Sequence, residues 1–182
     1  MYCSHFLSRY GSGIVYATAQ GVVKVEIPDM SRHEVAHNLV RPEFEPSEIT
    51  IHAARMLQRY FHGERIDFGD IPVVLDGLPP FRIKILSAIR NLPYGEIWTY
   101  GQLAHACGSP SAARATGGAL ASNPIPIIIP CHRVVAVNGR LTGYSAPGGE
   151  ITKMVLLKME GVEFKGLLVV TNQVVMHRTS SR

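Results

Sequence analysis

The sequence is short of cysteine, short of charge and carries a single tryptophan. Its 182 residues include three cysteines, Cys3, Cys107 and Cys131, with no C-x-x-C pair among them. An odd and scattered set argues against a disulfide framework and fits a reducing compartment. Charged residues make up 18% and form no run of one sign, which excludes a polyelectrolyte arm. No apolar stretch approaches the ~20 residues that a membrane-crossing helix needs. Residues 1–10 mix Tyr, Ser, His and Arg, where a secretory leader would set a cation before an apolar block. The expectation is a soluble, cytoplasmic chain with no membrane partner. Internal repeats and low-complexity tracts are also missing from the sequence.

What is present suits a globular protein. Apolar residues make up 46%, enough for a core, and the length allows one domain or two small ones. The net charge of +4 permits a nucleic-acid partner without requiring one, and points to a local basic face rather than a charged arm.

Residues 13–17 and 21–27 read as two strands turning near Gln20-Gly21. Ser47 is placed to cap a helix running to about His62, with Ile49, Ala53, Met56, Leu57 and Tyr60 as its apolar stripe. A short strand over 73–75 precedes Pro79-Pro80, which reads as a boundary between residues 1–78 and 79–182. The second part reads as mostly helical, with helices over 81–91, 100–107, 110–122 and 151–160. Thr99 caps the second of these, and Gly108-Ser109-Pro110 joins it to the third, with Pro110 at the first helical position. Two short helices joined this way carry the helix-turn-helix pattern. Residues 167–175 form a Val-rich tail.

The stretch that organises the chain is I-P-I-I-I-P-C-H-R-V-V, residues 125–135. Its β-branched run reads as a buried strand ended by Pro130. Cys131 follows with two potential cations, His132 and Arg133, a setting in which a thiol becomes a thiolate. A thiol, an imidazole and a carboxylate at Glu160 can form a nucleophile–base–orienter series. Cys107 reads instead as an inert packing residue.

The helix over 110–122 is built almost wholly of Ala, Gly and Ser, and only Arg114 is long. One explanation is close packing on another helix. The other is a low-profile face entering a DNA minor groove, which is only about 6 Å wide. Arg114 is then either a solvated charge or phosphate contact, or a projecting finger.

The residues P-C-H-R-V, with Asn123-Pro124 before them and Gly143-Tyr144-Ser145 after, resemble the active site of the O6-alkylguanine-DNA alkyltransferases. The similarity covers at least residues 81–163, while residues 1–75 match in rough pattern only. The resemblance implies an α+β fold. A small N-terminal α/β domain with antiparallel, ribonuclease-H-like strands would precede a helical, winged-helix-like domain. It implies irreversible, stoichiometric transfer of an alkyl group from O6-alkylguanine, and from O4-alkylthymine, to Cys131. The nucleotide would be flipped out through the minor groove.

By the same resemblance, His132 draws the thiol proton through a water, Glu160 orients His132, and Asn123 buttresses the turn. Tyr100 assists the leaving base and presses on a phosphate. Arg114 replaces the extruded nucleotide, with Gly101 and Ser109 as further DNA contacts; Arg133 is either another such contact or, by preference, a structural or electrostatic residue. Tyr144, Ser145, Val134, Leu120 and Lys153 belong to the substrate pocket. On their own, Tyr144-Ser145 reads as a plain turn and Lys153 as a solvated helix charge. The loop over 145–149 is slightly longer than in the shortest members, which bears on the size of alkyl group accepted. The implied partner is double-stranded DNA carrying alkylated guanine. The protein is expected to act as a monomer, with cooperative loading along DNA left open, and without any cofactor. Cys3, His5, His33 and His37 lack a zinc spacing, so no metal is expected.

Three other readings compete. A non-transferring relative that only binds alkylated bases would lack the reactive cysteine. A cysteine hydrolase would need an oxyanion site. A transcription regulator would need base-reading side chains on its second helix.

Overall fold

A computed structural model describes residues 1–32 and 44–170. His33, His37 and the tail beyond residue 170 lie outside the described residues. The architecture is mixed α/β, with an antiparallel sheet and five helices.

The sheet is formed by β1 (Tyr2–Ser8), β2 (Gly11–Ala17) and β3 (Val22–Glu26), in that spatial order. Every second residue of β2 is fully buried, the signature of a strand with one face on a core. The sequence reading omitted β1, whose apolar residues do not alternate cleanly. Gly13 faces Phe6 across the β1–β2 pair, and a Cβ there would run into the Phe6 ring. The predicted strand at 73–75 survives as a single bridge from Val73 to Val22.

Helix α1 (Glu48–Phe61) lies on the sheet. Ser47 closes its start as predicted: Thr50 N donates to Ser47 Oγ at 3.3 Å, and Ser47 N donates to Thr50 Oγ1 at 2.9 Å. Such a cap is worth about 1 kcal/mol. The buried face holds Ala53, Leu57, Tyr60 and Phe61. Burying a side chain the size of Leu57 contributes about 1.5–3 kcal/mol.

The rest of the chain supplies α2 (Pro80–Arg90), β4 (Trp98–Thr99), α3 (Tyr100–Ala106), α4 (Ala113–Ala121), β5 (Val134–Val135), α5 (Gly149–Met159) and the hairpin β6 (Phe164–Lys165) and β7 (Leu168–Val169). Thr99 caps α3 with Gln102 in a reciprocal pair. Helix α4 begins three residues later than predicted. Pro110 is not its first residue, because Ala112 N bonds to Ser109 O and closes a separate turn first. Helix α4 packs on α2 and α3. One buried cluster runs from Phe6, Leu57 and Tyr60 through Leu86 and Leu103 to Ile125, Ile129 and Leu156.

The largest local departure is at residues 125–129. No strand forms there. Ile129 N bonds back to Ile125 O at 2.9 Å, and Ile127 sits at φ 73° in the left-handed region. Prolines at 126 and 130 interrupt any ladder, so the isoleucines are buried by a tight turn instead. A β-branched residue held at positive φ is strained, and such strain persists only where the surroundings enforce it.

Candidate active site

The strained turn delivers its chain into a short 3₁₀ turn, Cys131–Arg133. Asn123, just past the end of α4, fixes both. Its Nδ2 donates to Ile129 O at 2.8 Å and to Cys131 Sγ at 3.1 Å, while its Oδ1 accepts from Ile125 N at 3.0 Å. Cys131 is 7% exposed. It forms part of the floor of a cavity of about 440 Å³ whose walls include Asn123, Pro126, Tyr144, Ser145, Ala146 and Pro147. β3 closes one side with Lys24, Val25 and Glu26, joined by Ile27 just after it. Val25 N bonds to Pro124 O at 2.9 Å, tying the sheet to that wall.

Beneath the thiol lies a buried polar network centred on Glu160, the residue that caps the end of α5. His132 Nε2 donates to Glu160 Oε1 at 2.8 Å. Arg133 reaches both carboxylate oxygens, with Nε at 2.8 Å from Oε2 and Nη2 at 3.0 Å from Oε1. Tyr60 of α1 donates its hydroxyl to Oε1 at 2.7 Å, and Gly95 N approaches Oε2 at 3.2 Å. Arg133 Nη1 is held by the Leu92 carbonyl at 2.5 Å. Burial alone would push the Glu160 carboxyl up, but His132 and Arg133 outweigh it and hold the group below the usual carboxylate range. An ionised Glu160 requires a proton on His132 Nε2. The Nδ1 of His132, buried and without a partner among the described residues, then carries the free lone pair of the neutral ring. Burial also pushes the His132 imidazole down, against the pull of Glu160, so the neutral form prevails near pH 7.

The sequence reading expected His132 and Arg133 to make a thiolate of Cys131. The structure corrects this. Burial pushes the Cys131 thiol up, and only the Asn123 hydrogen bond, Lys153 and nearby backbone donors oppose it. Arg133 is spent on Glu160. The resting group is a thiol beside a neutral base.

Arg133 is corrected a second time. At 5% exposure its guanidinium is interior and cannot serve as a DNA contact. Lys153 is not a solvated helix charge either. It is buried, donates Nζ to Val134 O at 2.6 Å and to Thr142 O at 3.2 Å, and lies 5.8 Å from the Tyr100 ring centre. Burial lowers its pKa to about 8. Val134 and Leu120 are buried behind the cavity rather than along it, and the Val134 carbonyl already accepts from Lys153. Tyr144 does line the cavity, with its hydroxyl buried and without a partner among the described residues. Ser145 Oγ donates to Ala121 O at 2.5 Å, which fastens the loop to α4. Among the described residues no group of three His, Cys, Asp or Glu side chains is positioned to hold a metal.

On the outer surface, Arg114, Ala115, Gly118 and Ala121 form an exposed stripe along α4, while Thr116, Ala119 and Leu120 face the core. A Cβ at Gly118 would meet nothing within 4 Å. The bare side of α4 therefore faces solvent and is not used for packing. Gly101 is exposed beside it, and Ser109 is half-buried in the turn before α4. Tyr100 stands between this surface and the cavity, its hydroxyl donating to Thr142 O at 2.6 Å.

Sequence reading missed Tyr60, which looked like one more member of an apolar stripe. The available signal was its hydroxyl, which needs a partner once buried.

Residues 80–162 match the family described as 6-O-methylguanine DNA methyltransferase, DNA binding domain. A methylated-DNA–protein-cysteine methyltransferase of Methanosarcina acetivorans is 40% identical over 142 residues, which is 78% of this chain and 81% of the relative. A constitutive protein of the same name from Bacillus subtilis is 44% identical over 113 residues, 62% of this chain and 67% of its own. The crystal structure of Mycobacterium tuberculosis OGT in complex with DNA superposes with a TM-score of 0.69 at 32% identity. That match covers 88% of this chain and 92% of that one. With a relative 40% identical along 81% of its own length, the chain belongs to the methylated-DNA–protein-cysteine methyltransferase family.

Proposed function

We propose that this protein repairs DNA by moving one alkyl group from O6-alkylguanine, or from O4-alkylthymine, onto Cys131 Sγ, irreversibly and once per molecule. The observation that carries the reading is the thiol held by Asn123 at the floor of a cavity, above a neutral His132 oriented by Glu160. In the reaction the thiol proton passes through a water to His132 Nδ1. The thiolate sulfur attacks the alkyl carbon in line with O6. The S–C bond forms as the C–O bond breaks. The O6 electrons restore the guanine carbonyl, and a ring nitrogen takes up a proton. Tyr100 donates toward that ring. Its hydroxyl now bonds the Thr142 carbonyl, so DNA binding has to redirect it. The thioether product does not hydrolyse, so the protein is consumed.

The target atom lies inside the duplex, and reaching it means extruding the nucleotide at a cost of a few kcal/mol. The exposed stripe of α4 fits the minor groove, with Arg114 taking the place of the departed base. Gly101 and Ser109 flank it against the phosphates. Tyr144 walls the base and the Ser145 backbone donates to O6. DNA binding is then salt-dependent and nearly indifferent to sequence. Residues 79–182 form the catalytic, winged-helix-like unit, acting as a monomer, and residues 1–78 a ribonuclease-H-like unit that walls and supports it.

The test uses duplex DNA with one O6-methylguanine. Lesion loss should stop at one per protein molecule. Arg114→Ala should slow repair of the duplex at least tenfold while leaving reaction with the free O6-methylguanine base unchanged. Tight binding without lesion loss would place the protein with the non-transferring relatives instead.

A further inference from the structure

We infer that Tyr60, on helix α1 of the N-terminal part, is a positioning residue for alkyl transfer that acts through Glu160 on His132. This deepens the proposed reading of the site and rests on it. Glu160 receives three donors from its own half of the chain: His132, Arg133 and the Gly95 amide. Tyr60 is the fourth, and it arrives from a different layer. Its hydroxyl lies 2.7 Å from Oε1, the same oxygen that takes the His132 proton, and 3.4 Å from His132 Nε2. Its ring is fully buried, locked edge-on against Phe61 at 5.5 Å and Tyr94 at 6.2 Å between centres. The phenolic oxygen is therefore held in place beside Glu160 and His132.

Two effects follow from that geometry. The hydroxyl stands against the edge of the imidazole and prevents the ring from swinging off Glu160. It also draws electron density from Oε1, which weakens the carboxylate as an acceptor for His132. Protonated His132 is therefore less favoured with Tyr60 present than without it, and the neutral base persists to lower pH. The other charged or titratable groups facing this pair are Arg133 beside Glu160, Lys153 from α5, Cys131 above, and the Tyr94 and Tyr144 hydroxyls. None of these is changed by removing one oxygen from Tyr60. Burial and the adjacent carboxylate push the Tyr60 hydroxyl well up, so it stays a donor throughout the working range.

The experiment is a single-turnover measurement of methyl transfer from O6-methylguanine duplex across pH, comparing the full chain with Tyr60→Phe. Transfer should slow by roughly fivefold to tenfold, less than the full worth of one hydrogen bond to a charged group, because Tyr60 acts through Glu160 and not on the reacting atoms. The acid limb of the profile, where His132 gains its proton, should move to higher pH. A purely structural tyrosine would lower the melting temperature but leave rate and acid limb of the folded protein where they were, and that result overturns the inference. A second variant covers poor folding of the first. 3,5-Difluorotyrosine at position 60 keeps the shape but donates more strongly, so the acid limb should move to lower pH; an unmoved limb again overturns it. Absence of transfer by the unmodified chain would instead be a failure of the proposed function.

Discussion

Cys107 and Cys131 are both buried, and burial pushes both thiols up. Neither the residue type nor its resting protonation separates the packing cysteine from the proposed nucleophile here. The surroundings do. Cys107 caps α3 and its Sγ sits among apolar core side chains, with the Lys84 carbonyl at 3.9 Å. Cys131 receives a hydrogen bond from Asn123, lines a cavity and sits above an oriented neutral imidazole. On the proposed function, reactivity is therefore stored in the proton acceptor and in the access route rather than in a standing thiolate. A protonated thiol also resists adventitious oxidation until substrate arrives.

The largest effect expected from breaking that difference comes from His132→Gln. It removes the acceptor and leaves Cys131 as protonated and idle as Cys107. Methyl transfer should fall by about a hundredfold or more, the usual worth of a general base, in single-turnover assays at pH 7. Lys153→Met should act in the same direction more weakly. It removes the positive charge that opposes the rise of the Cys131 pKa, along with the donor to the Val134 and Thr142 carbonyls. Losing that charge disfavours the thiolate, and transfer at neutral pH should slow by about tenfold in the same assay. The wild-type contribution should fade as pH rises through about 8, where Lys153 loses its proton, so the two rates should converge there. Cys107→Ser marks the small end. Transfer should stay within about twofold of the parent, while the cost of burying a hydroxyl, about 1 kcal/mol, lowers the melting temperature by a few degrees, roughly 2–8 °C.

How much of this could be read from the sequence differs between the same regions. Ser47 and Thr99 announced α1 and α3, because capping chemistry is local. Asn123, Cys131, His132 and Glu160 were legible as a set through the motif, and the structure brings them together. The turn at 125–129 was not, since a β-branched run looks the same to a periodicity argument whether it is buried as a strand or as a turn. The state of Cys131 was misjudged because adjacency in sequence was taken for adjacency of charge. Arg133 points away to Glu160, while the cation that matters, Lys153, lies on α5. Tyr60 was hidden for a related reason: its stripe position is set by helical period, and its hydroxyl partner is 100 residues away.

The most direct measurement is the intact mass of the protein after incubation with excess O6-methylguanine duplex, followed by peptide mapping, with Cys131→Ala in parallel. The account predicts a gain of one methylene per molecule, mapped to Cys131, and none in the variant. A gain on Cys107 or Cys3, or a gain that persists in Cys131→Ala, would contradict it.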